Sequence, residues 1–166
     1  MTAISISTCD LCDAHKADTT GNFRVLPPVF PSFGGLTEFS GRVSTVKCFE
    51  DNTSVKQALD EPGLGRVLVV DGAASLRRAL IGGNIAAAAA KNGWAGVVVN
   101  GCVRDAAELA AAAVGLRALA LMPLPTLRRT SGERDVTVQI QGVWVRPGDW
   151  LYADEDGIVV SGINLA

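Results

Sequence analysis

The chain has no excess of positive charge: Lys+Arg 15 against Asp+Glu 17 gives a formal net charge of -2. The basic field that nucleic-acid binding usually needs is therefore missing, and no nucleic-acid partner is expected. Long apolar runs are missing too. No stretch reaches the roughly eighteen unbroken apolar residues of a membrane span, and Met1 to Thr8 has neither a basic leader nor a long apolar core. The expectation is a cytoplasmic protein with no membrane partner. Histidine occurs once, as His15, in a polar N-terminal segment. That is a poor position for a general base, despite the suitable pKa of a free imidazole.

Nucleotide signatures are also absent. Three spaced glycines directly after a strand do not occur, so the dinucleotide fingerprint is missing and a methyltransferase reading has no support. No Gly-Lys-Ser/Thr follows a glycine loop, which excludes a Walker loop. Asp149, Asp154 and Asp156 lack the calcium-loop spacing and read as turn residues. Cysteine numbers only four. Cys9 and Cys12 have CxxC spacing with His15 just beyond, but a closed zinc site wants four ligands, and Cys48 and Cys102 lie singly in apolar surroundings. These thiols read as structural or incidental.

What is present is the composition of a folded globular protein: 166 residues, 48% apolar and 19% charged. No repeat or low-complexity linker interrupts it, so one α/β domain over residues 1–166 is expected. The prolines and glycines of residues 22–35 exclude a long helix or a central strand there and leave an ordered loop or part of a subunit contact. Strands are predicted over Arg42 to Phe49, Arg66 to Gly72, Ala95 to Val99 and Leu116 to Leu121. Helices are predicted from a cap at Asn52-Thr53-Ser54 through Leu59, over Ser75 to Ile81, over Ile85 to Lys91 with an Asn92-Gly93 stop, and from Arg104 to Val114. That alternation argues a parallel or mixed sheet with helices packed on it. From Asp135 onward the pattern changes to short strands: 136–140, 142–145, 150–153 and 157–160.

Two segments are candidates for chemistry. Gly82-Gly83-Asn84-Ile85 opens a helix, where free backbone N–H groups and the positive end of the helix dipole can hold a carboxylate or phosphate; a simple tight turn is the alternative. Arg104-Asp105 follows a valine-rich strand, at the carboxyl edge where ligands gather in open α/β sheets. The arginine can pair with a carboxylate in bidentate fashion, and the aspartate can hold a hard divalent cation. Asp105 and Glu108 also have the spacing of a capping box, which would account for both acids without chemistry. Arg134-Asp135 repeats the dipeptide in a polar turn and reads as a solvated loop. A small 2-oxo acid bound with Mg²⁺ or Mn²⁺ would suit an anion cradle, an arginine and a carboxylate together.

Val69-Val70-Asp71-Gly72, Ser75 to Leu80, Asn92-Gly93-Trp94, Gly101-Cys102-Val103-Arg104-Asp105, Gly142-Val143 and Tyr152 to Val160 resemble the family of the regulator of ribonuclease activity A. That family also contains the class II 4-hydroxy-4-methyl-2-oxoglutarate aldolases. The resemblance begins near Thr8-Cys9-Asp10-Leu11-Cys12-Asp13, ends at Ser161, and is specific through order and spacing together. It implies a three-layer β/β/α swivelling fold, mixed in strand direction with a C-terminal β unit, assembled as a homotrimer with sites between subunits. In the aldolase branch it implies substrate carboxylate binding by Gly82, Gly83, Asn84 and Ile85, enolate stabilisation by Arg104, and a divalent cation on Asp105. Oxaloacetate decarboxylation would share the pyruvate enolate. The other branch implies a non-catalytic protein that binds and inhibits ribonuclease E. Two positions depart from many catalytic relatives: Gly83 stands where an acid often follows the first glycine, and Ala87 replaces a glutamate of the following helix. The C-terminal extension of the longer aldolases is also missing.

Overall fold

The computed structural model describes residues 5–166, so the first half of the Met1 to Thr8 segment lies outside the described residues. In chain order the elements are α1 (Thr8–His15), β1 (Phe23–Val25), β2 (Phe39–Lys47), α2 (Thr53–Asp60), β3 (Val67–Asp71), β4 (Ala79–Ile81), α3 (Gly83–Lys91), β5 (Gly96–Val103), α4 (Ala106–Ala111), β6 (Gly115–Leu121), β7 (Glu133–Arg134), β8 (Val138–Ile140), β9 (Val143–Val145), β10 (Trp150–Ala153) and β11 (Ile158–Ser161). The fold is the expected mixed α/β architecture. β2, β3, β5 and β6 run parallel, while β10, β11 and β1 extend the sheet with antiparallel pairings.

The central parallel strands β3 and β5 are valine runs because both sheet faces are covered there. Successive residues of a strand point to opposite faces, and β3 divides its side chains accordingly. Leu68 and Val70 join a core with Ala58, Leu59, Ala86, Ala89 and Leu109 of the helices. Val67 and Val69 join a second core with Val138, Ile140 and Val145 of the β8–β9 hairpin and Leu151 and Val160 of the C-terminal strands. Helices, sheet and hairpin are the three layers. Burying one such valine or leucine contributes about 1.5–3 kcal/mol, so the two cores dominate cohesion.

Three local expectations are corrected. Ser75 to Ile81 is not helical: Ala73 and Ala74 turn the chain in the left-handed region, both at φ 56, and Ala79–Ile81 then pairs in parallel with the end of β5. Sheet pairing outweighs the local helix preference of Leu76 to Leu80. The helix after Arg104 is only Ala106–Ala111, because β5 runs on to Val103. The N-terminal segment also forms α1, a helix outside those expectations, whose cap Ser7 accepts a hydrogen bond from the Asp10 amide. Arg134 is no solvated loop residue: it lies in β7 and pairs with Glu61 at 2.8 Å.

Candidate active site

The sheet itself brings the two candidate segments together. β4 occupies the lane beyond the end of β3, in parallel register with β5, so that Ile81 lies opposite Val103. The next residues of each strand, Gly82 and Arg104, therefore emerge side by side at the carboxyl edge. A backbone bond from the Arg104 N–H to the Ile81 carbonyl, 2.9 Å, fixes this junction.

Gly82 precedes the first turn of α3, and its need is space, since its backbone (φ -119) suits any residue. A Cβ there would lie 2.7 Å from Asp105 Oδ2 and 3.4 Å from Arg104 Nε. The Gly83 amide donates to Asp105 Oδ2 at 2.8 Å. The amides of Asn84 and Ile85, orphaned at the helix start, have no acceptor among the described residues. They remain open to an anion, whereas that of Gly83 is already occupied.

Asp105 does not form the capping box. Its backbone is left-handed, φ 66, and its side chain makes no cap bond to α4 because it reaches across to α3. Glu108 likewise crosses to the other helix: a Cβ on Gly83 would meet its Oε2 at 1.6 Å. The space of the Gly83 side chain is thus taken by a carboxylate from a different element. The sequence shows only the cap spacing of Glu108, and only the β4–β5 pairing reveals where it goes.

Gly82, Gly83, Asn84, Ile85, Arg104 and Asp105 all line one cavity of about 130 Å³. Its remaining wall holds Asn52 and Arg128, which the sequence did not single out. Asn52 reads as a helix cap from sequence, yet it makes no cap bond. Its Nδ2 donates to the Leu80 carbonyl at 3.0 Å, and its Oδ1 accepts from Arg128 Nε at 3.3 Å. Beside it, buried Asp51 accepts the amides of Arg129 and Thr130. Burial pushes the Asp51 carboxyl up, but hydrogen bonds from Thr53, Thr130 and Arg129 outweigh it and hold the group at about 2.

Other polar candidates serve the fold. Asp149 pairs with Arg24 at 2.8 Å. Asp154 accepts from the amide and hydroxyl of Thr8; burial raises its pKa, and these bonds with those from Asp156 and Gly157 bring it below the usual range. The thiol of Cys48 is pushed up to about 12, first by burial and then by Asp71 and Asp51. His15 stacks on Phe23 and is not among the cavity's lining residues.

The model of the RraA-like family, Aldolase/RraA, matches residues 8–160. The chain belongs to this family. A relative from Albidiferax ferrireducens, named "Putative 4-hydroxy-4-methyl-2-oxoglutarate aldolase", is 66% identical over 97% of this chain and 98% of its own length. Among solved structures, the RNA-processing inhibitor RraA from Thermus thermophilis superposes with a TM-score of 0.91 at 46% identity, covering 98% of this chain and 96% of that one. A Geobacillus kaustophilus structure described as an S-adenosylmethionine: 2-dimethylmenaquinone methyltransferase gives 0.88 at 41% identity, over 96% and 97% of the two chains. Relatives of this chain thus carry three different functional names, and the choice among them rests on the cavity. No helix among the described residues is long and apolar enough to cross a membrane.

Proposed function

We propose that the protein is a divalent-cation-dependent carbon–carbon lyase for small 2-oxo acids: a 4-hydroxy-4-methyl-2-oxoglutarate aldolase that also decarboxylates oxaloacetate through the same pyruvate enolate. The observation that carries this reading is the convergence of open helix-start amides, a guanidinium and a carboxylate on one small cavity. The aldolase name of close relatives supports it.

The residues suit a hard cation. No group of three or more His, Cys, Asp or Glu capable of closing a metal cage occurs among the described residues. Magnesium, however, is commonly held by one or two carboxylates with the remaining positions left to substrate and water. Asp105 would hold it, with Glu108 as the neighbouring carboxylate. When bound, the cation supplies Lewis-acid polarisation of the 2-oxo group.

The rest follows from the chain. The amides of Asn84 and Ile85 hold the carboxylate next to the oxo group, and the α3 dipole favours that charge. Arg104, packed against Gly82, donates to the oxygen on which enolate charge grows. In aldol cleavage the C3–C4 bond breaks, its electrons move into the enolate, and the hydroxyl proton of the leaving half passes to a base through water. In oxaloacetate decarboxylation the C3–C4 bond breaks, carbon dioxide leaves, and the bond's electrons move into the same enolate, with no such base needed. Glu108 brings a carboxylate to the place that Gly83 leaves, but Ala87 still stands where many relatives have an acid able to order that water, so decarboxylation is the more robust activity.

Pyruvate release from the two substrates, with and without Mg²⁺ or Mn²⁺, tests the reading; efficient aldol cleavage without decarboxylation would reverse the ordering. We further propose a cytoplasmic homotrimer, which the exposed Phe49, Leu76, Leu121, Leu124 and Leu127 would help to assemble. Sedimentation equilibrium measures its mass. The structural match to an RNA-processing inhibitor favours a second reading, binding and inhibition of ribonuclease E. Capture of ribonuclease E together with no turnover in either metal would favour it.

A further inference from the structure

We propose that Arg128 is a specificity-determining residue that receives the distal carboxylate of a dicarboxylic 2-oxo acid. The inference rests on the lyase reading and goes beyond it, because nothing in that reading employs a second guanidinium.

Arg128 is the one charged side chain of the cavity wall besides Arg104 and Asp105. In the proposed complex Asp105 faces the cation, and Arg104 faces the growing enolate charge. Arg128 is left without a counter-charge: no carboxylate lies within ion-pair distance of it among the described residues. Of the neighbouring arginines, Arg129 lines a different cavity and two others are engaged. Arg77 pairs with Glu50 at 2.5 Å, and Arg78 donates to the Pro125 carbonyl at 3.0 Å.

The segment carrying Arg128 is fixed at both ends. On one side the Ala79 amide donates to the Leu124 carbonyl at 2.8 Å, which ties the segment to the start of β4. On the other, the amides of Arg129 and Thr130 are held by buried Asp51. Between these ties, Asn52 takes the Nε–H of Arg128 while holding the Leu80 carbonyl of the strand that delivers the glycine turn. The two Nη groups keep their hydrogens free among the described residues, which is the fork that matches a carboxylate in bidentate fashion. Asn52 thereby sets the spacing between the proximal carboxylate site and Arg128. The cavity recognises both ends of a short dicarboxylate.

The test compares two unreactive 2-oxo acids of equal carbon count. 2-Oxoglutarate has a distal carboxylate but no 4-hydroxyl, so it is not cleaved; 2-oxopentanoate lacks the distal carboxylate. Binding to the Mg²⁺-loaded protein is measured by isothermal titration for the unsubstituted protein, Arg128→Gln and Arg128→Lys. The expected preference for 2-oxoglutarate is roughly ten- to a hundredfold, the worth of a charged hydrogen-bonded pair. It should fall to about threefold or less in Arg128→Gln, with 2-oxopentanoate affinity unchanged, and remain several-fold in Arg128→Lys, which keeps the charge. The same preference in Arg128→Gln as in the unsubstituted protein would overturn the role of Arg128 while leaving the lyase reading intact. Absence of binding by either acid to the unsubstituted protein would overturn that reading and this inference with it.

Discussion

Arg104-Asp105 and Arg134-Asp135 are the same dipeptide at two places in one chain, each with its aspartate in the left-handed region, φ 66 and φ 56. Arg134 is consumed by the fold. It sits in β7 beside Val46, forks onto both oxygens of Glu61 at 2.8 Å, and the bond with Glu61 raises its pKa further. The Asp135 amide is tied to the Thr45 carbonyl at 3.0 Å. Arg104, by contrast, has only a 3.4 Å contact to the Pro123 carbonyl, and Asp105 has the Gly83 amide. Identical letters therefore carry opposite roles, and what separates the two arginines is whether the fold has already supplied a partner. A polar group left unpartnered beside a cavity is free for a ligand.

The largest effect that would sharpen this contrast is expected from the aspartates. Asp105→Ala should lower metal-dependent pyruvate formation on the order of a thousandfold while leaving a protein contact largely intact. Asp135→Ala should leave turnover within about twofold and cost about 1 kcal/mol of stability, since alanine resists the left-handed region. Equal losses of turnover in both variants would break the comparison. The arginines come next. Arg104→Gln should reduce kcat by about a hundredfold at unchanged thermal midpoint, the loss of one transition-state donor. Arg134→Gln should keep kcat and lose at most about 1 kcal/mol in urea unfolding, the scale of a partly exposed ion pair.

The smallest effect is a pH dependence at the cavity rim. The Asp51 carboxyl is held at about 2, below its ordinary value of 3.8. Its contribution is therefore complete above about pH 4 and is lost as pH falls through 2. The difference in urea midpoint between the unsubstituted protein and Asp51→Asn should be constant from pH 5 to 7 and shrink toward pH 2. A difference that grows on acidification would contradict the assignment.

Much of the fold was legible because valine runs and glycine stops are local signals. β3 was placed within a residue at each end, and α3 begins two residues before its expected start. Ser75 to Ile81 was misread because its conformation is imposed by β5, a partner more than twenty residues away in sequence. The same pairing explains the site. Gly82, Arg104 and Asp105 could be found from turn chemistry and edge position, and the structure brings them together. Glu108 was legible only as a cap, and Asn52 and Arg128 join the cavity through contacts that no local pattern encodes.

The most direct test of the central claim is a crystal structure of the protein soaked with pyruvate and Mg²⁺. The account predicts the pyruvate carboxylate within hydrogen-bond distance of the Asn84 and Ile85 amides, its oxo oxygen toward Arg104, and the cation on Asp105. Pyruvate bound elsewhere, with Asp105 still engaged only by the Gly83 amide, would contradict it.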